Sequence, residues 1–154
     1  MIREVDARKL PDGFIEIFSS CIGRPGDASE IVGLYEEPGW RLFAIFEERE
    51  IVAVAGLKLD SPSEHELVHL AVKKERRSKG LGKKIIDILT GAFRLSDLFV
   101  WTDDEAVGFY KSIGFRIIQE ETTLHGIKRY KLARYGMYFS GGYCNHVDTI
   151  FDET

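Results

Sequence analysis

The chain has 154 residues, 44% of them hydrophobic and 30% charged, with a formal net charge of −4. That length fits one domain with a buried core, and the acidic balance argues against a broad nucleic-acid-binding face. No apolar run approaches the roughly 20 residues of a bilayer span, MIREVDARKL lacks the pattern of a signal peptide, and Cys21 and Cys144 match no disulfide framework, so a reducing cytoplasmic setting away from membranes is expected.

MIREVDA reads as a first strand. Phe14, Ile17, Phe18 and Cys21 recur at helical spacing. DASEIVGLYEEPG follows as a second helix, with Asp27 or Ser29 as its cap and Pro38-Gly39 as its stop. WRLFAIFEEREIVAVAGLKLD holds two β-rich runs around the charged turn 47–50, a hairpin pattern, and HELVHLAV is a third such run. Strict alternation there would set Glu66, Val68, Leu70 and Val72 on one face, with His65, Leu67, His69 and Ala71 on the other. Leu81, Ile85, Ile86, Leu89, Ala92 and Phe93 mark one face of a helix of about four turns. DLFVW reads as a buried strand. TDDE reads as a capping box, Thr102 being the cap and Glu105 its partner. It opens a helix with the apolar face Ala106, Phe109, Tyr110 and Ile113, closed by Gly114. FRIIQEE and IKRYKLARY end the pattern as paired strands. This order predicts an α/β (layered α+β) domain over residues 1–135 around a largely antiparallel sheet. Residues 136–154 form an extension, rich in aromatics and glycine, that is expected to pack on its own domain or on a second subunit.

The stretch KKERRSKGLGKK, residues 73–84, carries a local charge of +6, seven Lys or Arg against Glu75, so the rest of the chain carries −10. A strand, a basic glycine loop and a helix start together make an anion trap. The first N–H groups of a helix lack internal partners and carry the positive end of its dipole. Glycines at 80 and 82 would let a phosphate approach the backbone, with Arg77, Lys79 and Lys83 adding charge. A solvated basic turn is the plain alternative. Cations at a helix N-terminus are misplaced unless an anion joins them, which favours a phosphate ligand. The lysine-serine/threonine ending of a P-loop and the three-glycine dinucleotide fingerprint are both absent.

Arg77-x-x-Gly80-x-Gly82 after HLAV resembles the acyl-CoA pyrophosphate loop of the GNAT superfamily, the acyl-CoA-dependent N-acyltransferases. DDEAVGFYKSIGF resembles that family's second signature in Asp103, Ala106, Phe109-Tyr110 and Gly114-Phe115. The resemblance covers residues 1 to about 135. It implies a GNAT-like mixed sheet of about six or seven strands, helices on both faces, and a V-shaped splay between strands four and five. It implies acetyl-CoA as co-substrate, with the backbone of Leu70, Ala71 and Val72 pairing with the pantetheine amides. The amides of Ser78, Lys79, Gly80, Leu81, Gly82 and Lys83 would hold the pyrophosphate, with Arg77 beside them and Phe109 and Asp103 near the pantetheine arm. Asp103 stands where the family more often has Asn.

The implied reaction is attack of an amine on a thioester. The amine must lose a proton, the carbonyl oxygen needs preorganised donors, and the leaving thiolate benefits from a proton donor. The resemblance places Tyr110 at that last task, although a core tyrosine on an apolar helix face would look the same in sequence. Glu66 is the candidate base, directly or through water, against the plainer reading of a solvated strand-end glutamate. Glu64 and His69 are its substitutes. Cys144, His146 and His125 are too sparse for a metal site, and His65 and His69 too far apart, so no metal is expected. The acceptor is expected to be a small-molecule amine or a protein amino group, and the chain a monomer or homodimer. A non-catalytic acyl-CoA-binding or sensing module is the alternative. A nucleic-acid module would need more than one basic helix start.

Overall fold

The computed structural model describes residues 1–60 and 64–136; the expected packing of the extension beyond Gly136, with Cys144 and His146, lies outside the described residues. In chain order the elements are β1 (Ile2–Val5), α1 (Phe14–Ser19), α2 (Ala28–Val32), β2 (Trp40–Glu47), β3 (Glu50–Lys58), β4 (Glu66–Val72), α3 (Leu81–Ala92), β5 (Asp97–Thr102), α4 (Val107–Ser112), β6 (Arg116–Thr122) and β7 (Lys128–Tyr135). The described strands form one seven-stranded sheet in the order β1-β2-β3-β4-β5-β7-β6. Only β4 and β5 run parallel; every other neighbouring pair is antiparallel.

Alternating side chains send two cores to opposite faces of this sheet. Phe43, Ile45, Ala55 and Leu57 pack with Ile85, Ile86 and Leu89 of α3 and with Tyr110 and Phe115. Leu42, Ala44, Val54 and Ala71 pack with Phe14, Phe18, Ala28, Val32 and Tyr35 from the α1–α2 region. The expected 47–50 turn is a tight reversal, with Glu48 and Arg49 both at positive φ (52° and 74°) and Glu47 paired with Glu50.

Two local expectations are corrected. Thr102 ends β5 and caps nothing; the N-cap of α4 is Ala106, with no side chain capping it, and Asp103 closes the turn before it, its Oδ1 accepting the N–H groups of Glu105 (3.0 Å) and Ala106 (3.1 Å). Its shorter side chain closes the turn locally, so the helix proper begins only at Val107. The alternation read along β4 also fails midway. Gly56 stands opposite His69 while Leu57 stands opposite Leu67, so Val68 is an extra residue, a β-bulge. The bulge reverses parity. Leu67 joins Leu70 and Val72 in the α3-side core, whereas Ala71 lies in the α1-side core. Glu66, one residue before Leu67, therefore projects to the α1 side.

Candidate active site

In an antiparallel pair, residues alternate between exchanging main-chain hydrogen bonds and turning those groups away from the partner strand. The Lys73 N–H donates to the Val52 carbonyl (2.8 Å) while Val72 stands opposite Ala53, which makes Val72–Ala53 a non-hydrogen-bonded pair. Two residues back, Leu70 opposite Ala55 is another. The main-chain groups of Leu70 and Val72 thus point away from β3, toward β5, while those of Ala71 are held in the ladder with Val54. β5 does not receive them. The two strands meet only at Glu66–Phe99, closed by the Phe99 N–H on the His65 carbonyl (2.8 Å), and separate beyond it. One wall of the resulting cleft therefore carries main-chain polar groups that the sheet leaves unpaired, and an extended, amide-bearing ligand arm satisfies such groups. Arg77 Nε already reaches the Val72 carbonyl at 2.9 Å.

The basic loop joins β4 to α3 at the mouth of this cleft. Ser78 and Gly80 both adopt positive φ (62° and 78°), and Gly80 precedes the first turn of α3 with no side chain capping it. The first amides of α3 are accordingly free for a ligand. The two glycines have different reasons. A Cβ on Gly80 would meet nothing within 4 Å, so its positive φ is what selects glycine. A Cβ on Gly82 would come to 2.9 Å from Phe109 Cζ, so Gly82 is there to seat a ring of α4. The two sequence motifs touch through that contact. Lys83 turns along the helix to Asp87 (2.6 Å), which also binds Arg134 (2.6 Å), leaving Lys79 as the more available cation.

From α4, Tyr110 enters the same region. It is 7% exposed, with its ring held edge-on by Phe109 (4.9 Å) and Phe115 (5.4 Å). Among the described residues its hydroxyl has no hydrogen-bond partner. Burial first, then charge on Cys21 and Asp103, pushes its pKa well above the usual phenol range, so the group stays protonated.

The opposite side of the splay is built by α1 and the segment before β2. Burial raises the Glu66 carboxyl, with Lys58 opposing that shift and Glu64 adding to it. Tyr35 Oη lies 2.6 Å from His69 Nδ1, and the Phe18 ring packs tilted against the His69 ring at 4.8 Å. Burial drops His69 to about 4, so the ring is neutral at ordinary pH. Glu64 is paired with Lys131, and His65 with Asp97 at 3.3 Å. Of the three base candidates, Glu66 is thus the one with a raised pKa and no hydrogen-bond partner among the described residues.

Two features at the site escaped the sequence reading. One is Cys21, whose thiol donates to the Phe18 carbonyl (3.2 Å) and is pushed up to about 11 by burial. The other is the Tyr35–His69 pair, which depends on Gly56: a Cβ there would sit 1.8 Å from the Tyr35 hydroxyl. A lone glycine inside a strand pattern is the signal that marks such a close approach. An open cavity of about 590 Å³ beside the β2–β3 turn lies apart from this cleft, and its lining carboxylates, Glu47, Glu48, Glu50 and Glu75, ill suit an anionic ligand. Among the described residues, no three His, Cys, Asp or Glu side chains gather as a metal site requires, and no helix is long and apolar enough to cross a membrane.

Known structures share this fold. A GNAT family acetyltransferase from Elizabethkingia anophelis, solved with acetyl-CoA bound, superposes with a TM-score of 0.71 at 16% identity, over 88% of this chain and 97% of that one. The ribosomal-protein-S18-alanine N-acetyltransferase from Escherichia coli gives 0.71 at 18% identity, over 92% and 96%. The aminoglycoside 6′-N-acetyltransferase from Enterococcus faecium gives 0.66 at 17% identity, over 88% and 96%. At such identities the likeness establishes the fold. Among curated proteins, none matches the chain by sequence. The family model described as Acetyltransferase (GNAT) domain matches residues 27–133, a span that takes in both motifs, the bulged strand and the splay. The chain belongs to the GNAT acetyltransferase family.

Proposed function

We propose that the protein transfers an acetyl group from acetyl-CoA to a primary amine, of a small molecule or of a protein, by direct attack while both substrates are bound. The observation that carries this reading is the splay itself, where the outward-turned main chain of Leu70 and Val72 is left unpaired by β5 while both side chains pack against the core cluster that holds Tyr110. Bound acetyl-CoA would supply the activated thioester. Leu70 and Val72 would pair with its pantetheine amides, the amides from Ser78 to Lys83 with its pyrophosphate, Arg77 and Lys79 with its charge, and Phe109 and Asp103 would flank the arm.

Each remaining group then has one task. The Leu70 N–H polarises the thioester carbonyl, because a fixed donor aimed at developing negative charge needs no reorganisation. Tyr110 keeps its proton and donates a hydrogen bond to the departing sulfur. Full transfer is uphill from so weak an acid to a thiolate whose conjugate acid has a pKa near 8.5, so stabilisation by the bond itself is the larger effect. Glu66, with its raised pKa, accepts the amine proton directly or through one water. A thiol-release assay with acetyl-CoA against polyamines, amino acids, aminoglycosides and alanine-terminated peptides tests the proposal. Acetyl-CoA-dependent thiol release with at least one amine is the expected result. Tight CoA binding with no turnover on any acceptor would assign the chain to acyl-CoA binding or sensing instead.

A further inference from the structure

Glu66 lies in a row of residues paired directly across neighbouring strands. Its partners are Lys58 on β3 and Phe99 on β5, and Lys58 is paired in turn with Trp40 on β2. Directly paired residues turn their side chains to one face of a sheet, so all four project to the α1 side, where Trp40 packs against the core. The row reads aromatic, cation, carboxylate, aromatic. Opposite charges facing each other across two strands ordinarily meet. Here they do not. The Lys58 ammonium leans the other way, onto the Trp40 ring at 5.3 Å from its centroid, and has no carboxylate partner among the described residues. That seat is fixed, since Trp40 stands edge-on to the buried Tyr35 at 5.4 Å and Tyr35 is tied to His69. On the other flank Lys131 lies over the Phe99 ring at 4.9 Å and is already neutralised by Glu64. Glu66 and Lys58 are thus an open pair, side by side and half-buried, each charge unmet by its neighbour.

Such a pair is complementary to a ligand that carries both signs a few bonds apart. A simple amine answers Glu66 and leaves Lys58 unmet, and a diamine brings it a second cation. An α-amino acid, with its carboxylate beside its amine, answers both.

We propose that the acceptor is an α-amino acid, its amino group presented to Glu66 and its carboxylate bound by Lys58. This rests on the reading of the splay as an acetyl-CoA site with Glu66 as the base. It makes Lys58 the residue that selects the acceptor class, a side chain that touches substrate and takes no part in bond making.

The test compares kcat/KM, from thiol release with acetyl-CoA, for amino acids, the corresponding amino acid amides and diamines, in the wild type and in Lys58→Arg, Lys58→Met and Lys58→Glu. An amide keeps the amine and the side chain and loses the carboxylate charge. The wild type should prefer its best amino acid over the matching amide by about tenfold or more, the scale of one charged hydrogen bond. Lys58→Arg should keep that preference. Lys58→Met keeps an apolar stem for the Trp40 ring and should lose about tenfold of it, chiefly through KM, because the carboxylate is held alike in ground and transition states. Lys58→Glu should shift the preference toward diamines. Differences in intrinsic amine reactivity cancel when the ratio is compared between proteins, and calorimetric acetyl-CoA binding reports whether each variant is folded with its donor site formed. A wild type that acetylates amides or diamines as well as amino acids would overturn the proposal, and so would an undiminished preference in Lys58→Met. Failure of the wild type to bind acetyl-CoA or to turn over any amine would overturn the reading of the site itself.

Discussion

At the scale of single residues, two side chains divide the proposed chemistry according to how burial affects each. Burial makes Tyr110 a weaker acid and so keeps its proton in place; it makes Glu66 a stronger base and so brings its titration closer to neutrality. Tyr110→Phe removes the hydroxyl and little of the ring packing against Phe109 and Phe115. It should lower kcat by about tenfold or more, less than the roughly hundredfold of a full general acid because Tyr110 gives a hydrogen bond and keeps its proton, with CoA affinity nearly unchanged. Steady-state kinetics set beside calorimetric CoA binding check this, and equal kcat in the two proteins would remove Tyr110 from the mechanism. For Glu66 the sign is fixed by the raised pKa: the carboxylate is lost on the acid side at a higher pH than an ordinary glutamate would show. The acidic limb of the kcat/KM profile should therefore fall above the usual value of about 4.3. Glu66→Gln should lower the plateau and flatten that limb. An intact acidic limb in the variant would place the base elsewhere.

At the scale of elements, most of the fold follows from periodicity, because the periodicity reports which face is buried. The start of α3 after Gly80 and the hairpin turn stand where the residue pattern puts them, while of the expected apolar face of α4 only Tyr110 is buried within the helix. What the pattern does not carry is register. The Val68 bulge exists because β4 must match β3 across Gly56, a pairing between distant segments that no local window contains. The same holds for the direction of the Leu70 N–H and for the turn that Asp103 closes ahead of α4, which compete with equally good local alternatives. The two glycines at close approaches were visible as glycines, and their partners were not. Their substitutions should differ in cost. In Gly82→Ala the new methyl meets the far end of a Phe109 ring that is 38% exposed and can shift, so the loss should stay near 1 kcal/mol, the scale of mild overpacking. In Gly56→Ala the methyl would overlap Tyr35, which is buried and tied to His69, so the loss should reach about 3 kcal/mol or more. Urea unfolding of both variants checks the order. A Gly82→Ala variant less stable than Gly56→Ala would refute the account of both positions.

At the scale of the whole molecule, the sheet divides the charge problem as it divides the core. The α3 side keeps its cations in local pairs, such as Lys83 with Asp87 and Arg76 with Glu47, so the local +6 of the loop is partly neutralised before any ligand arrives. The α1 side instead buries a titratable ring. His69 sits beneath Phe18 and against Tyr35, with a pKa lowered to about 4 from an unfolded value of about 6.5. Above pH 6.5 both folded and unfolded chains hold the ring neutral, and His69 adds no pH dependence. As pH falls below 6.5 the unfolded chain takes up a proton that the folded chain refuses, so stability is lost through the window down to about 4. The full shift corresponds to at most ~3 kcal/mol, reduced because the ring is only partly buried. Glu66 is raised toward the same range, so His69 is isolated by comparing wild type with a variant that lacks the ring. Wild-type protein should lose stability from pH 7 to 5. His69→Gln should start less stable, having lost the Tyr35 contact and the ring packing, yet lose less on acidification, because nothing remains at that position to protonate. Urea melts of the two proteins at pH 7, 6 and 5 measure both slopes, with the other three histidines, His65, His125 and His146, common to each and cancelling in the comparison. Equal losses in wild type and variant would mean that His69 protonates freely in the folded state, and the buried cluster of Tyr35, Phe18 and His69 would have to be more open than its packing describes.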